Sequence, residues 1–206
     1  MLISNRKSLA ALFAGALILG LSACGQQQSL DLSADTVKET TVYARSDGSL
    51  DVAYMESFTE SYYSKNELAE YAASVAKEYN QEHNSAISVE GVNVADGSAV
   101  LIMRFDDAEV FADFDKGDTI SYRLFSENDA HAEFDDLRFE PSGKKGSKSL
   151  IFGNEVIDKN HMVAEVDGAV LLQTEGKIAY YSGGELIDEH HIRSFENETT
   201  VVIFKK

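Results

Sequence analysis

The chain of 206 residues carries 18 Lys and Arg against 35 Asp and Glu, a formal net charge of −17, with 44% hydrophobic residues and one cysteine. So negative a balance repels phosphate backbones and anionic headgroups at long range, which argues against nucleic acid as a partner and favours cations or basic proteins. A single cysteine excludes an internal disulfide, so the fold has to stand on its apolar core.

The opening MLISNRKSLAALFAGALILGLSAC places Arg6 and Lys7 ahead of an apolar run from Leu9 to Leu21 and ends on small residues. That is the layout of a secretory signal peptide. The run falls short of the ~20 residues that a spanning helix needs, and polar residues follow at once, so residues 1–23 read as cleaved rather than membrane-spanning. Its ending, Leu21-Ser22-Ala23-Cys24, resembles the bacterial lipobox in all four positions. The resemblance implies a mature N-terminus at a Cys24 carrying diacylglycerol, with palmitate-type chains. Two such chains hold a protein firmly, at ~0.8 kcal/mol per buried methylene. The expected location is the extracytoplasmic face of the cell membrane, with the lipid bilayer as partner through acylated Cys24. An acylated Cys24 leaves no thiol for catalysis or metal binding.

Residues 24–39 are polar and aperiodic after the cysteine and read as a flexible tether that lets the folded part clear the membrane. Asp47-Gly48, Asp96-Gly97 and Asp167-Gly168 each lie between runs rich in Val, Leu, Ile and Tyr, so three hairpins are expected, since both turn residues accept positive φ. Between the first two, SKNELAEYAASVAKEYN pairs Ser64 with Glu67 as a capping box and repeats Leu68, Tyr71, Ala72, Val75 and Tyr79 at helical spacing. It predicts an amphipathic helix over 64–80, packed by one face on a sheet. A shorter helix is expected to start at Asp106, with Glu109 as capping partner and Val110 and Phe114 inward. A strand over Ile120 to Phe125 and one or two helical turns after Ser126 follow.

Pro141 to Ser149, PSGKKGSKS, is the clearest break and reads as a long loop or linker. Beyond it, short apolar runs at 150–152, 162–166, 170–173, 177–181, 185–187 and 201–204 predict a β-rich ending, with Gly183-Gly184 as a further turn. Residues 25–140 hold 25 acidic against 8 basic residues and 141–206 hold 10 against 8, so the two parts differ chemically. The expected fold is α+β, with antiparallel hairpins and one main helix over 40–140 and a β-rich part over 141–206. The sequence does not decide whether that last part is separate or completes the same sheet.

No nucleophile elbow, metalloprotease helix, phosphate loop or dinucleotide fingerprint occurs, and no cofactor is implied. Asp188-Glu189-His190-His191 is the densest polar cluster. On a strand at most two of the four converge, for instance Asp188 and His190, and a solvated turn explains the cluster better than a metal does. The run Asp106, Asp107, Glu109, Asp113, Asp115 and Asp118 lacks the glycine register of a calcium loop, and helix capping accounts for it. Lys144, Lys145 and Lys148 form the only basic cluster and read as a soluble loop. Of the aromatic pairs Tyr62-Tyr63 and Tyr180-Tyr181, one ring each is expected to face the core and the other solvent. Tyr63, Tyr181 and His190 are therefore the candidate ligand-binding residues.

The stretch YMESFTESYYSKNELAEYAASVAKEYN, with GKIAYYSGGELI near the end, resembles a group of uncharacterised lipoproteins of Gram-positive bacteria. These pair a lipobox with a strand, a capped helix ending in Tyr-Asn and a late Gly-Lys-Ile-x-Tyr-x-Ser strand. The resemblance implies the anchor and a Gram-positive source, and brings no catalytic or binding residues. Two functional classes follow, a non-enzymatic surface lipoprotein that binds a ligand or protein at the cell envelope, and an envelope enzyme whose carboxylates or histidines converge only in the fold.

Overall fold

The computed structural model describes residues 31–59, 65–84, 86–116, 120–143 and 150–206. They form an α+β, β-rich fold with two mostly antiparallel sheets. Sheet A contains β1 (Thr41–Ala44), β2 (Leu50–Ser57), β3 (Ile87–Ala95), β4 (Ser98–Phe105), β9 (Leu171–Thr174), β11 (Glu185–Leu186) and β12 (His191–Arg193). Its order is β11-β12-β9-β1-β2-β4-β3. Sheet B contains β5 (Ser121–Phe125), β6 (Arg138–Pro141), β7 (Ile151–Phe152), β8 (His161–Asp167), β10 (Ile178–Ser182) and β13 (Thr199–Lys205), in the order β5-β8-β13-β10-β6-β7. Both sheets combine strands from before and after Pro141, joined in sheet A through the parallel pair β1 and β9, so residues 141–206 complete the sheets that the earlier residues begin. Pro141 itself ends β6 and lies opposite Tyr180 of β10.

Two of the three Asp-Gly pairs form the expected hairpins. Asp96 and Gly97 take φ of 51° and 76° between β3 and β4, the left-handed pair that a tight two-residue turn requires. Gly48, at φ 99°, turns β1 into β2. Asp167-Gly168 does something else. β8 already has β5 on one edge and β13 on the other, so the chain after Gly168 finds no free edge and crosses to sheet A. There β9 runs parallel to β1 and antiparallel to β12.

The inner faces of the two sheets meet in one core, where Val42, Leu50, Val52, Met103 and Leu172 of sheet A face Ala164, Val166, Val202 and Phe204 of sheet B. The main helix, α1 (Lys65–Glu82), closes one end of it against β3. It buries Leu68, Ala69, Ala72 and Ala76, whereas Tyr71, expected inward, is 39% exposed. An alanine face brings the helix backbone close to the sheet, and a tyrosine ring does not fit beneath it. Asn80 then ties the helix end to the strand, donating from Nδ2 to the Ile87 carbonyl at 2.7 Å and accepting the Ile87 N–H at 2.9 Å. The next helix, α2 (Ala108–Asp115), starts one residue later than expected, with Asp107 as N-cap accepting the Val110 N–H at 2.8 Å. Its fully buried side chain is Phe111, and Val110 and Phe114 lie at the core margin.

Each sheet also has an outer face. That of sheet B is covered by α3 (Glu127–Phe134) and the single turn α4 (Gly153–Val156), which enclose Phe125, Phe134, Phe139, Val163 and Ile203. That of sheet A is covered by residues 31–39. Read from the sequence as free tether, they instead form a strap whose Leu32, Ala34 and Val37 pack on Ala53, Val100 and Ile102.

Candidate functional site

The cluster Asp188 to His191 forms the tip between β11 and β12, where the N–H groups of Ile187 and Asp188 both donate to the His191 carbonyl. The Asp188 carboxylate accepts the N–H of His190 at 2.8 Å and of His191 at 3.0 Å, and contacts His191 Nδ1 at 2.8 Å. An Asp side chain here substitutes for a backbone carbonyl, the usual reason for its place in turns. Strand alternation, which paired Asp188 with His190, does not apply to a turn, and Asp188 meets His191 instead. His190 points away, its Nδ1 donating to the Thr174 carbonyl at 2.9 Å. It serves to hold the tip against the end of β9.

Beside this tip lies a groove of about 560 Å³ lined by Ser142, Lys177, Ile178, Ala179, Leu186, Ile187, Asp188, Glu189 and Lys205. Four remote segments are tied together to make it. The Ile178 N–H donates to the Glu189 carbonyl at 2.8 Å, Ser142 Oγ to the Ile178 carbonyl at 2.6 Å, and the Lys205 N–H to the Lys177 carbonyl at 3.1 Å. Behind it, Gly176 lies so close to β13 that a Cβ there would sit 1.7 Å from the Lys205 carbonyl oxygen, so only glycine permits this approach. Ile178 and Leu186 form a buried floor and Ile187 stands 40% exposed at the rim.

The rim carries charges of both signs. Lys177 Nζ lies 2.6 Å from Glu189 Oε2, and this hydrogen bond holds the Glu189 carboxyl below its usual range. Partial burial pushes the Asp188 carboxyl up, but the His190 N–H and the His191 ring and N–H outweigh it and hold the group below its ordinary value.

The other sequence candidates separate. Tyr181 is 8% exposed and donates its hydroxyl to Glu140 Oε2 at 3.1 Å, while Tyr180 packs among the side chains under α3. The two rings point to opposite faces of sheet B, as alternation demands, but both faces are covered, so Tyr181 presents no ring to a ligand. Burial, then Glu140, raises its pKa. Cys24, Tyr63, the capping Ser64, Asp118 and the lysines at 144, 145 and 148 lie outside the described residues. In the acidic run, Asp107 caps α2 and Asp113 accepts the Tyr79 hydroxyl at 3.0 Å. Asp115 is 9% exposed and lies 3.5 Å from the Ile120 N–H. Among the described residues, no three His, Cys, Asp or Glu side chains are placed to hold one metal ion.

A charged cluster not singled out from the sequence lies under the strap. Asp51, 3% exposed, receives Arg45 Nη2 at 2.6 Å and Arg104 Nε at 2.7 Å. Arg104 pairs with Asp51 across β2 and β4, but alternation alone places both on an outer face and reads them as solvated.

Compared with protein-family models, with curated proteins and with solved structures, the chain matches none.

Proposed function

We propose that this chain is an extracytoplasmic lipoprotein, anchored through acyl chains on Cys24, whose folded part binds a short peptide segment of a partner in the groove beside Ile187. The anchor is carried by one covalent feature, the lipobox Leu21-Ser22-Ala23-Cys24 at the end of a cationic and apolar leader, seven residues ahead of Asp31. A peptide suits the groove because Ile187 and Ala179 offer apolar contact while Lys177, Lys205, Asp188 and Glu189 offer both charges that a peptide presents.

Binding is favoured over envelope catalysis because both groove carboxylates are already bonded within the fold, Asp188 to the His190 and His191 N–H groups and Glu189 to Lys177. Asp188 and Glu189 are both held below the ordinary range, hence ionised near neutral pH. A general acid needs the opposite shift.

The anchor is tested by the mass of the N-terminal peptide of the chain made in a Gram-positive host. Diacylglycerol on Cys24 is expected, and release of Cys24→Ala into the medium; a membrane-bound Cys24→Ala chain would overturn it. For binding, thermal melting is followed against a peptide library. A ligand at a hundredfold excess over Kd stabilises by about 2.7 kcal/mol, a rise of roughly 5–10 °C in Tm. Ile187→Asp is expected to abolish that shift, and a shift it leaves unchanged places the site elsewhere.

A further inference from the structure

Sheet A ends at β3, and among the described residues no strand lies beyond it. A nine-residue strand in that position is the kind of edge that proteins cover or blunt. One rung is covered by a side chain. Asn80 of α1 donates from Nδ2 to the Ile87 carbonyl at 2.7 Å and accepts the Ile87 N–H at 2.9 Å. Those are the two bonds that a single residue of a neighbouring antiparallel strand makes, so the amide stands where a peptide unit fits. Because Ile87 bonds outward, alternation turns the N–H and carbonyl of Val89 outward as well. From the other end, the tight turn at Asp96-Gly97 makes Ala95 and Ser98 the closing bonded pair, which leaves Val92 and Val94 facing out. The bulge at Glu90 joins the two stretches.

Alongside this edge, between β3 and α1, runs a groove of about 500 Å³ lined by Ala73, Ala76, Lys77, Asn80, Gln81 and Val89. The small Ala73 and Ala76 leave room on the helix side for the side chains of one more strand. We propose that the outer edge of β3 takes an extended basic peptide of a partner protein, added as an antiparallel strand from Val89 to Val94. Its alternate apolar side chains face Ala73 and Ala76, and its basic ones face solvent and Glu90. Charge selects that partner. Residues 65–97 hold six acidic residues against two lysines, and Lys77 is the one basic residue lining the groove among the described residues. The flanking segments add to the excess, with three acidic residues and one lysine over 31–39, and five acidic residues, Arg104 and Lys116 over 98–116. Arg104, opposite Ser88, is already bonded to Asp51. A second copy of this chain brings the same negative charge to the edge and has its own Asn80 over Ile87, so β3 does not pair with itself.

The test titrates the full chain with a peptide of alternating Val and Lys, matched in length to β3, and follows amide exchange residue by residue. Strand addition is expected to slow exchange about tenfold or more at Val89, Val92 and Val94, and least at Ser88 and Asn93, whose N–H groups already face β4. The same peptide with Glu in place of Lys is expected to bind about tenfold more weakly or worse. Val89→Pro removes one outward N–H at an edge position where proline is tolerated, and is expected to weaken binding about tenfold. Ile187→Asp is expected to leave this binding unchanged, which separates the β3 edge from the groove of the proposed function. No binding at millimolar peptide, or saturation without slowed exchange at Val89, Val92 and Val94, overturns the strand addition. So does binding that Val89→Pro leaves intact or that Ile187→Asp abolishes. Equal binding of the Glu peptide overturns the basic partner.

Discussion

The outer faces of the two sheets are covered by opposite means. On sheet B, α3 and α4 enclose Phe125, Phe134, Phe139, Val163 and Ile203, and the apolar area removed from water supplies the hold. On sheet A, nine residues without regular structure lie across the face, contributing three apolar side chains and an ion pair at each end. One cover is part of the core, whereas the other is a strap whose opening exposes little apolar surface. Local opening is therefore cheaper on the strap side than under the helices.

Removing the Phe139 ring, fully buried under α3, tests the helical cover most severely. Phe139→Ala is expected to lower stability by about 3–5 kcal/mol in urea denaturation, the range for an emptied aromatic site. On the other face, Asp51→Asn leaves Arg45 and Arg104 side by side without their shared carboxylate. Breaking a fully buried pair costs 3–5 kcal/mol, and Arg104 at 39% side-chain exposure lowers the expectation to about 2–3 kcal/mol. A loss below about 1 kcal/mol would mean that water reaches the cluster through the strap.

Val37→Ala trims a half-buried strap side chain and is expected to cost about 1 kcal/mol, with faster amide exchange in residues 31–37 and none in α3. Equal acceleration under both covers would erase the contrast between them. Glu39→Gln removes one exposed partner of Arg193 and should cost less than about 1 kcal/mol, an effect that high salt abolishes.

The smallest effect at neutral pH is spectroscopic. Burial, partly offset by Arg45, pushes the Tyr43 pKa up to about 12, and burial with Asp113 does the same for Tyr79. A raised folded pKa means that the contribution is complete below the free tyrosine value near 10 and is lost as pH rises through about 12. Tyrosinate absorbance should show a late-titrating fraction, and undocking the strap with Leu32→Asp and Val37→Asp should shift Tyr43 earlier and leave Tyr79 unchanged.

Much of the fold was legible because it is local. The Asp-Gly turns at 47–48 and 96–97, the helix through 65–80 and every apolar run after 150 carry their instructions within a few residues. The groove was legible only in part. Asp188 and Glu189 stood out as a dense cluster, but Lys177, Ser142 and Lys205 reach it from places 12 to 47 residues away in the chain. His190 and Tyr181, conspicuous as residue types, turn out to hold the frame.

By itself the sequence determined which segments become strands and helices, since turn chemistry, capping and periodicity act over distances shorter than one element. Only the tertiary structure decided which edges pair, which face of a helix goes inward and what lies over each sheet. Asp167-Gly168 carries the same turn signal as the two hairpins, yet both edges of β8 are taken, so the chain leaves for the other sheet. Residues 31–39 look like linker because their apolar side chains are few, and they become cover because a sheet face with Asp51 and two arginines needed one.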